Sequence, residues 1–163
     1  MTTPVFSLDR SFDAPRALVW QVYTEIDHLS RWWGPKGFTW IKGTLDLKPG
    51  GLFHYGMRSP TGQEMWGKFV YREIVAPERI SFVTSFSDED ANTVRSPYSP
   101  IWPLEVLNTV VFTERGGKTT LAMTGTPINA TDKEQAFFDS MLPSMDQGFK
   151  GTLDQLADYL ATI

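Results

Sequence analysis

Hydrophobic and polar positions alternate over residues 5–12, which is the pattern of a strand with one buried face. Phe6, Leu8 and Phe12 fall on the apolar side of this segment, while serines and an aspartate fall on the other side. Arg10 is the charged residue on the apolar side. The segment therefore predicts a half-buried strand that carries a guanidinium group toward the interior.

Two short helices are predicted after this strand. Pro15 suits a first helical turn, and apolar residues then recur at helical spacing until about Thr24. A second helical segment runs over about 27–33 and stops at a Gly-Pro pair. It ends in two adjacent tryptophans, Trp32 and Trp33. Because both rings cannot face one small core, we expect one ring to pack inside and the other to face a cleft or a partner.

The middle of the chain reads as an antiparallel meander. Turn residues such as Pro49-Gly50-Gly51 and Gly116-Gly117 separate short apolar segments about every 8 to 12 positions. Strands are predicted over 38–47, 51–58, 64–75, 79–87, 103–114 and 118–126.

A long loop and two more helices are predicted in the second half of the chain. The segment from Ser87 to Pro103 holds Ser, Asp, Asn and three prolines with little apolar periodicity. A loop of this length is typical of a lid or a binding edge, or else of a disordered bystander. Helical periodicity then predicts a short helix over 132–139 and a long one over 141–161, separated because Pro143 does not fit inside one continuous helix.

These elements predict an α+β fold in which a curved antiparallel sheet of about seven strands wraps around the C-terminal helix. No repeat or linker divides the chain, so we expect a single domain over 1–163. A twisted sheet diverges from a straight helix at its ends, which favours a cavity between them, although the same residues can instead form a solid core. The residues predicted to line this cavity are Trp33, Phe53, Tyr55, Met57, Trp66, Trp102, Met123, Met141, Met145 and Phe149.

Composition excludes several classes of protein. The 163 residues contain no cysteine, which rules out thiol catalysis, thiolate metal sites and a disulfide scaffold, and favours the cytoplasm. The net charge is -4 and the 15 basic residues are scattered, so nucleic acid is not an expected partner. Neither an export signal nor a run of about 18 apolar residues is present, so a membrane is not an expected partner either.

Motifs for defined chemistry are also missing from the sequence. There is no paired-histidine metal motif, phosphate-binding glycine loop or nucleophile elbow, so we expect no metal, no cofactor and no standard catalytic set. His54 is the best candidate for acid–base chemistry if its strand borders the cavity, and otherwise it is a surface residue. Arg10 can orient a ligand if it pairs with a carboxylate of Asp46, Glu73 or Glu105, and otherwise it extends to water. Glu105 is the third weak catalytic candidate.

Several short segments follow one another in an order that is specific, although each is weak alone. They are Phe-Asp-Ala-Pro-Arg at 12–16, Arg-Trp-Trp-Gly-Pro at 31–35, Asp-Leu-Lys-Pro-Gly-Gly at 46–51, and further matches at 67–74, 77–80, 103–110 and 117–121. Together they resemble homologues of the C-terminal domain of the activator of the ninety-kilodalton heat-shock protein ATPase, which belong to the START-like, or SRPBCC, superfamily.

The resemblance implies a helix-grip fold of the Bet v 1/START-like type. In several relatives the cavity of this fold binds hydrophobic small molecules, and no universal catalytic set is implied. Many relatives carry a Gly-Trp pair where this chain has Gly148-Phe149. The activator also has a separate N-terminal domain that engages the chaperone, and because this chain is too short to include it, chaperone contact is not expected.

Three functions are open at this point. The first is a cytoplasmic binding protein for a small apolar or aromatic molecule, with the Ser87–Pro103 loop near the entrance of the cavity. The second is a cyclase- or hydrolase-type enzyme that uses the same cavity. The third is a stress-response or chaperone-interaction module that uses an exposed Trp32 or Trp33 and has a filled interior. A homodimer formed through the sheet or the loop is compatible with each of them.

Overall fold

The computed structural model of the chain describes residues 6–163. Its strands are β1 (Phe6–Phe12), β2 (Thr39–Leu45), β3 (Leu52–Arg58), β4 (Glu64–Val75), β5 (Arg79–Ser87), β6 (Val106–Arg115) and β7 (Lys118–Pro127). Its helices are α1 (Arg16–Thr24), α2 (Ile26–Trp32), α3 (Asp132–Ser140) and α4 (Leu142–Leu160). Val5, the first residue of the predicted N-terminal strand, lies outside the described residues.

The predicted α+β helix-grip fold is confirmed. Within residues 6–163, the strands form one antiparallel seven-stranded sheet in the order β1-β7-β6-β5-β4-β3-β2. The long helix α4 lies against β1 and α2. The largest difference from the predicted boundaries is at β6, which begins at Val106 rather than at Pro103. Pro103 has no N–H to donate to a neighbouring strand, and the long loop therefore continues through Glu105.

One row of paired residues crosses the concave face of the sheet, and Phe6, Asn108 and Phe82 of this row line a cavity. Gly125 of β7 pairs with Phe6 on one side and with Asn108 on the other. Asn108 in turn pairs with Phe82, and Phe82 pairs with Tyr71. Because paired residues on adjacent strands point to the same face, these five side-chain positions all face α4.

Helix α4 is held over the sheet by an apolar stripe and by polar contacts with the end of α2. Leu153 and Leu156 are almost fully buried on the inner side of the helix. The Gln155 side-chain amide donates to the carbonyl oxygen of Gly34 at 2.7 Å, and the Thr152 hydroxyl donates to the same oxygen at 3.1 Å. These bonds fix the distance between α4 and the turn after Trp33, and Gly34 and Pro35 of that turn border a cavity.

Candidate functional site

Two adjacent cavities lie between the concave face of the sheet and α4. The inner cavity has a volume of about 170 Å³ and is lined on its floor by Phe82, Asn108 and Val110. The outer cavity has a volume of about 270 Å³ and extends toward α4 and the turn after α2. Trp33 and Phe149 line both spaces, so the two cavities share a wall.

The structure brings most of the predicted lining residues together. Those that border at least one cavity are Trp33, Tyr55, Met57, Trp66, Trp102, Met123, Met145 and Phe149. Phe149 borders both cavities, and its ring lies 5.3 Å from that of Phe6.

Two predicted lining residues lie elsewhere. Phe53 is fully buried, and its ring packs edge-on against Phe69 at 5.0 Å, within the solid core rather than on either cavity. Met141 precedes the first turn of α4 and borders neither cavity. The apolar stripe that suggested Met141 continues across the break between α3 and α4, where the chain changes direction.

Trp66 borders the inner cavity, but its ring lies on the convex face of the sheet. A Cβ atom at Gly56 would lie 2.5 Å from the Trp66 ring, and His54 stacks on that ring at a centroid distance of 5.4 Å. Gly56 and His54 alternate with Tyr55, which lines both cavities, so they point away from α4. The indole of Trp66 is therefore not part of the cavity wall.

Neither interpretation of His54 fits the structure, since its side chain points away from the cavities and is buried rather than on the surface. Its Nε2 atom lies 3.0 Å from the carbonyl oxygen of Asp88, and the imidazole is buried against Trp66 on the convex face. The sheet itself separates His54 from the inner cavity. His54 serves to hold the start of the long loop against β3.

The predicted partners of Arg10 are also wrong. Arg10 Nη2 lies 2.8 Å from Asp154 Oδ1 on α4, rather than beside Asp46, Glu73 or Glu105. The hydrogen bond from Arg10 holds the pKa of the Asp154 carboxyl below its usual value. Both side chains are partly exposed and neither lines a cavity, so this pair ties β1 to α4 and does not orient a ligand.

Glu105, the third catalytic candidate, lies in the loop before β6. Its Oε1 atom accepts a hydrogen bond from the Asn129 side-chain amide at 3.2 Å. It borders neither cavity. The structure therefore places each of the three candidate catalytic residues outside the cavities.

Sequence reasoning missed several residues that form the cavity wall. They are Phe6, Tyr23, Met65, Gly67, Phe69, Phe82, Thr84, Phe86, Asn108 and Val110. The signal was available, because alternation along β4 to β6 puts these strand positions on the same face as Tyr55. Tyr23 follows Val19 by one helical turn and therefore lies on the same inner side of α1.

The lining is entirely uncharged. Among the described residues that border either cavity there is no Lys, Arg, His, Asp or Glu. Aromatic and methionine side chains provide most of the surface, with a few hydroxyl and amide groups between them. A charged ligand would lose its hydration in this space without a compensating partner, so the lining favours a neutral one.

Two tyrosines border the inner cavity in states that do not support general-base chemistry. Burial raises the pKa of Tyr55 to about 12, although a hydrogen bond with the Trp33 side chain partly opposes this effect. Burial also raises the pKa of Tyr23 above its ordinary value. Both hydroxyls therefore stay protonated at neutral pH and cannot serve as general bases.

The Tyr23 hydroxyl has no hydrogen-bond partner within the described part of the chain, and this predicts an unusual effect on stability. A buried polar group without a partner costs about 1–3 kcal/mol. Tyr23→Phe should therefore raise the free energy of unfolding of the ligand-free protein by roughly 1 kcal/mol, measured by urea denaturation. The matched control is Tyr159→Phe, because the Tyr159 hydroxyl lies 2.6 Å from His28 Nδ1 and its removal should lower stability. Lower stability in both variants would contradict the prediction.

The long loop is held over the inner cavity by Arg95 and Trp102. The Trp102 ring lines the cavity and packs against Phe138 at 5.4 Å. Arg95 Nη1 donates to the carbonyl oxygen of Trp102 and to Glu134 Oε2 on α3. Glu134 is 7% exposed, so this contact anchors the loop to a nearly buried carboxylate.

The anchoring of the loop should depend on pH. A hydrogen bond from the Thr131 backbone N–H, followed by that from Arg95, holds the pKa of Glu134 below its ordinary value. The contribution of this carboxylate is therefore present above about pH 4.3 and is lost as the pH falls through the lowered pKa. We expect limited proteolysis within the loop to accelerate as the pH is lowered from neutral to below about 4.3, since protonation removes the charge that binds Arg95.

Glu134→Gln is the control for this prediction. Glutamine keeps the capping geometry at the start of α3 but cannot form the ion pair. The variant should show fast loop cleavage already at neutral pH and no further acceleration on acidification. A wild-type rate that is the same at both ends of the pH range would contradict the role of Glu134.

Within residues 6–163, no helix is both long enough and apolar enough to cross a membrane.

Comparison with known proteins agrees with this architecture. The model of the family described as activator of Hsp90 ATPase homolog 1-like protein matches residues 13–161. A search of curated proteins finds no match.

Solved bacterial structures resemble the chain over nearly its whole length. Protein Ms6760 of Mycobacterium smegmatis is 27% identical, with a TM-score of 0.79, over 97% of this chain and 91% of that protein. A protein of Arthrobacter aurescens is 25% identical, with a TM-score of 0.80, over 99% and 88% of the two chains. Protein NE0264 of Nitrosomonas europaea, at 20% identity and a TM-score of 0.78 over 99% and 97%, shares the fold. Since the family model covers most of the sequence, this chain belongs to the activator of Hsp90 ATPase homolog 1-like family.

Proposed function

We propose that this protein binds a small, uncharged, apolar or aromatic molecule in the cavity between its sheet and α4. The observation that carries the proposal is the inner cavity of about 170 Å³, which is enclosed by aromatic rings and methionines and has no charged lining residue in the described chain. A pocket that is mainly apolar with a few polar groups is typical of small-molecule sites.

Burial of apolar surface supplies the free energy of binding. Each Å² of apolar surface removed from water contributes about 25 cal/mol, and the rings of Trp33, Phe82 and Phe149 provide such surface. The methionines on the wall, Met65 and Met123 among them, adapt their side chains to ligands of different outline. We therefore propose selection by size and apolarity rather than by charge.

The enzyme alternative has less support. No titratable side chain with a pKa near neutrality borders the cavities in residues 6–163, and the three candidate catalytic residues lie outside them. The interaction module required an exposed tryptophan and a filled interior. Trp32 is only 2% exposed and donates from Nε1 to the Val22 carbonyl oxygen at 2.9 Å, whereas Trp33 faces the cavities.

Native mass spectrometry of freshly purified protein, followed by organic extraction, tests the proposal. We expect a bound neutral molecule, or binding of added 2-methylnaphthalene with one molecule per chain. Trp66→Ala serves as the matched control, because its indole lies on the convex face, and it should retain the ligand. Protein that carries no molecule and binds no member of a broad apolar panel would contradict the proposed function.

A further inference from the structure

Asn108 is the one amide side chain among the described residues that line the inner cavity. It lies in the middle of the concave face, in the row where Gly125 and Phe82 are its neighbours on β7 and β5. The inward positions next to it along β6 are the apolar Val106 and Val110. A polar group at the centre of an apolar floor requires an explanation, because a valine or leucine would complete the core.

The orientation of the Asn108 amide is fixed by two hydrogen bonds. Its Nδ2 donates to Thr84 Oγ1 at 3.0 Å and to the Val106 carbonyl oxygen at 3.0 Å. Thr84 is itself held, since its hydroxyl donates to the same Val106 oxygen at 3.3 Å. Both N–H donors of the amide are therefore used, and its oxygen is the free hydrogen-bonding atom.

That oxygen has space beside it because its neighbour is glycine. A Cβ atom at Gly125 would lie 3.1 Å from Asn108 Oδ1, closer than ordinary van der Waals contact. Within residues 6–163, Oδ1 accepts no hydrogen bond from another side chain or from the backbone. Because Asn108 lines the inner cavity, this fixed and unpaired acceptor can receive a donor from a molecule in the cavity.

We propose that Asn108 is a specificity-determining residue, and that the ligand carries a hydrogen-bond donor, such as a hydroxyl or an N–H group, on a neutral apolar or aromatic body. This inference rests on the proposed function, because it assigns the chemistry of the same cavity. Thr84 is the positioning residue that holds the amide. A ligand without a donor leaves the acceptor unpaired and binds less well than its shape alone would allow.

Two probes of similar shape test the inference. 2-Naphthol carries a hydroxyl donor where 2-methylnaphthalene carries a methyl group, and fluorescence titration gives the dissociation constant of each. The measured quantity is the ratio of the two constants. Asn108→Leu should reduce the relative preference for 2-naphthol by about ten-fold, the value of one hydrogen bond to a fixed acceptor. Thr109→Val, on the opposite face of the same strand, should leave the ratio unchanged.

A second variant covers the case in which Asn108→Leu does not fold. Gly125→Ala keeps the amide and places a methyl group against Oδ1, and it should reduce the same ratio by about three-fold. The role of Asn108 is overturned if the folded Asn108→Leu variant has a ratio within two-fold of the wild-type value. If only Gly125→Ala folds, the same criterion applies to that variant. In either case the binding function stays intact. Wild-type protein that binds neither probe overturns the binding function as well.

Discussion

Replacing Val110 by tryptophan should abolish the binding of 2-methylnaphthalene, with a loss of affinity of about 100-fold or more. Val110 is 1% exposed and lies on the floor of the inner cavity. The indole would occupy the space that the ligand requires, and overpacking of this kind costs only about 1–3 kcal/mol of stability. The affinity is measured by fluorescence titration, and folding is checked by circular dichroism.

The neighbouring position provides a matched control. Val111 is the next residue on β6, points to the opposite face of the sheet and is 37% exposed. Val111→Trp adds the same side chain to the same strand without entering the cavity, so the affinity should stay within two-fold of wild type. Equal losses in the two variants would mean that the cavity is not the binding site.

Shortening Leu153 to alanine should cost about 2–5 kcal/mol of unfolding free energy. Leu153 is 1% exposed on the inner side of α4, where it fixes the helix against the sheet. The large effect comes from the lost apolar burial and from the new void, which neighbouring residues cannot fill. Urea denaturation measures it as a fall in the midpoint with little change in slope.

Gln147→Ala is the control for this variant, because Gln147 is an exposed residue of the same helix. Alanine there should change stability by less than about 0.5 kcal/mol. If Leu153→Ala proved as mild as the control, α4 would not be the element that the sheet encloses.

The fold could be predicted from the sequence because its signals are local. Alternation along β3 assigned Tyr55 and Met57 to the interior, and both line cavities. Turn residues marked each strand end, and Pro143 marked the start of α4 within one helical turn. The start of β6 is harder to predict, because apolar residues flank Pro103 on both sides while its missing N–H prevents it from pairing within the sheet.

The errors in the candidate site came from two different causes. Trp66 is predicted as a lining residue, although the alternation that places Phe69 inside places Trp66 outside. The alternation that places Tyr55 inside likewise places His54 outside. The partner of Arg10 is a different case, because Asp154 lies on α4 and its distance from Arg10 depends on how that helix is rotated over the sheet. The hydrophobic pattern of a single segment does not determine how α4 is rotated over the sheet.

Asn108 and Tyr23 show why the chemistry of the cavity was harder to predict than its location. Alternation along β6 places Asn108 on the inner face, but its neighbours Phe82 and Gly125 are known only from the register of the strands. The unpaired state of the Tyr23 hydroxyl depends on packing by residues far away in the chain. Both features depend on tertiary contacts that no single segment specifies.

The methionines allow the central claim to be tested directly. The chain has six of them, and Met57, Met65, Met123 and Met145 border the cavities, whereas Met141 does not. Two-dimensional NMR of protein labelled with ¹³C at the methionine methyl groups, titrated with 2-methylnaphthalene, reports each site separately through the ring current of the ligand. Binding between the sheet and α4 predicts changes in the chemical shifts of the methyl groups of the four lining methionines, and a smaller change at Met141. An unchanged spectrum at saturating ligand, or shifts confined to Met141, would contradict it.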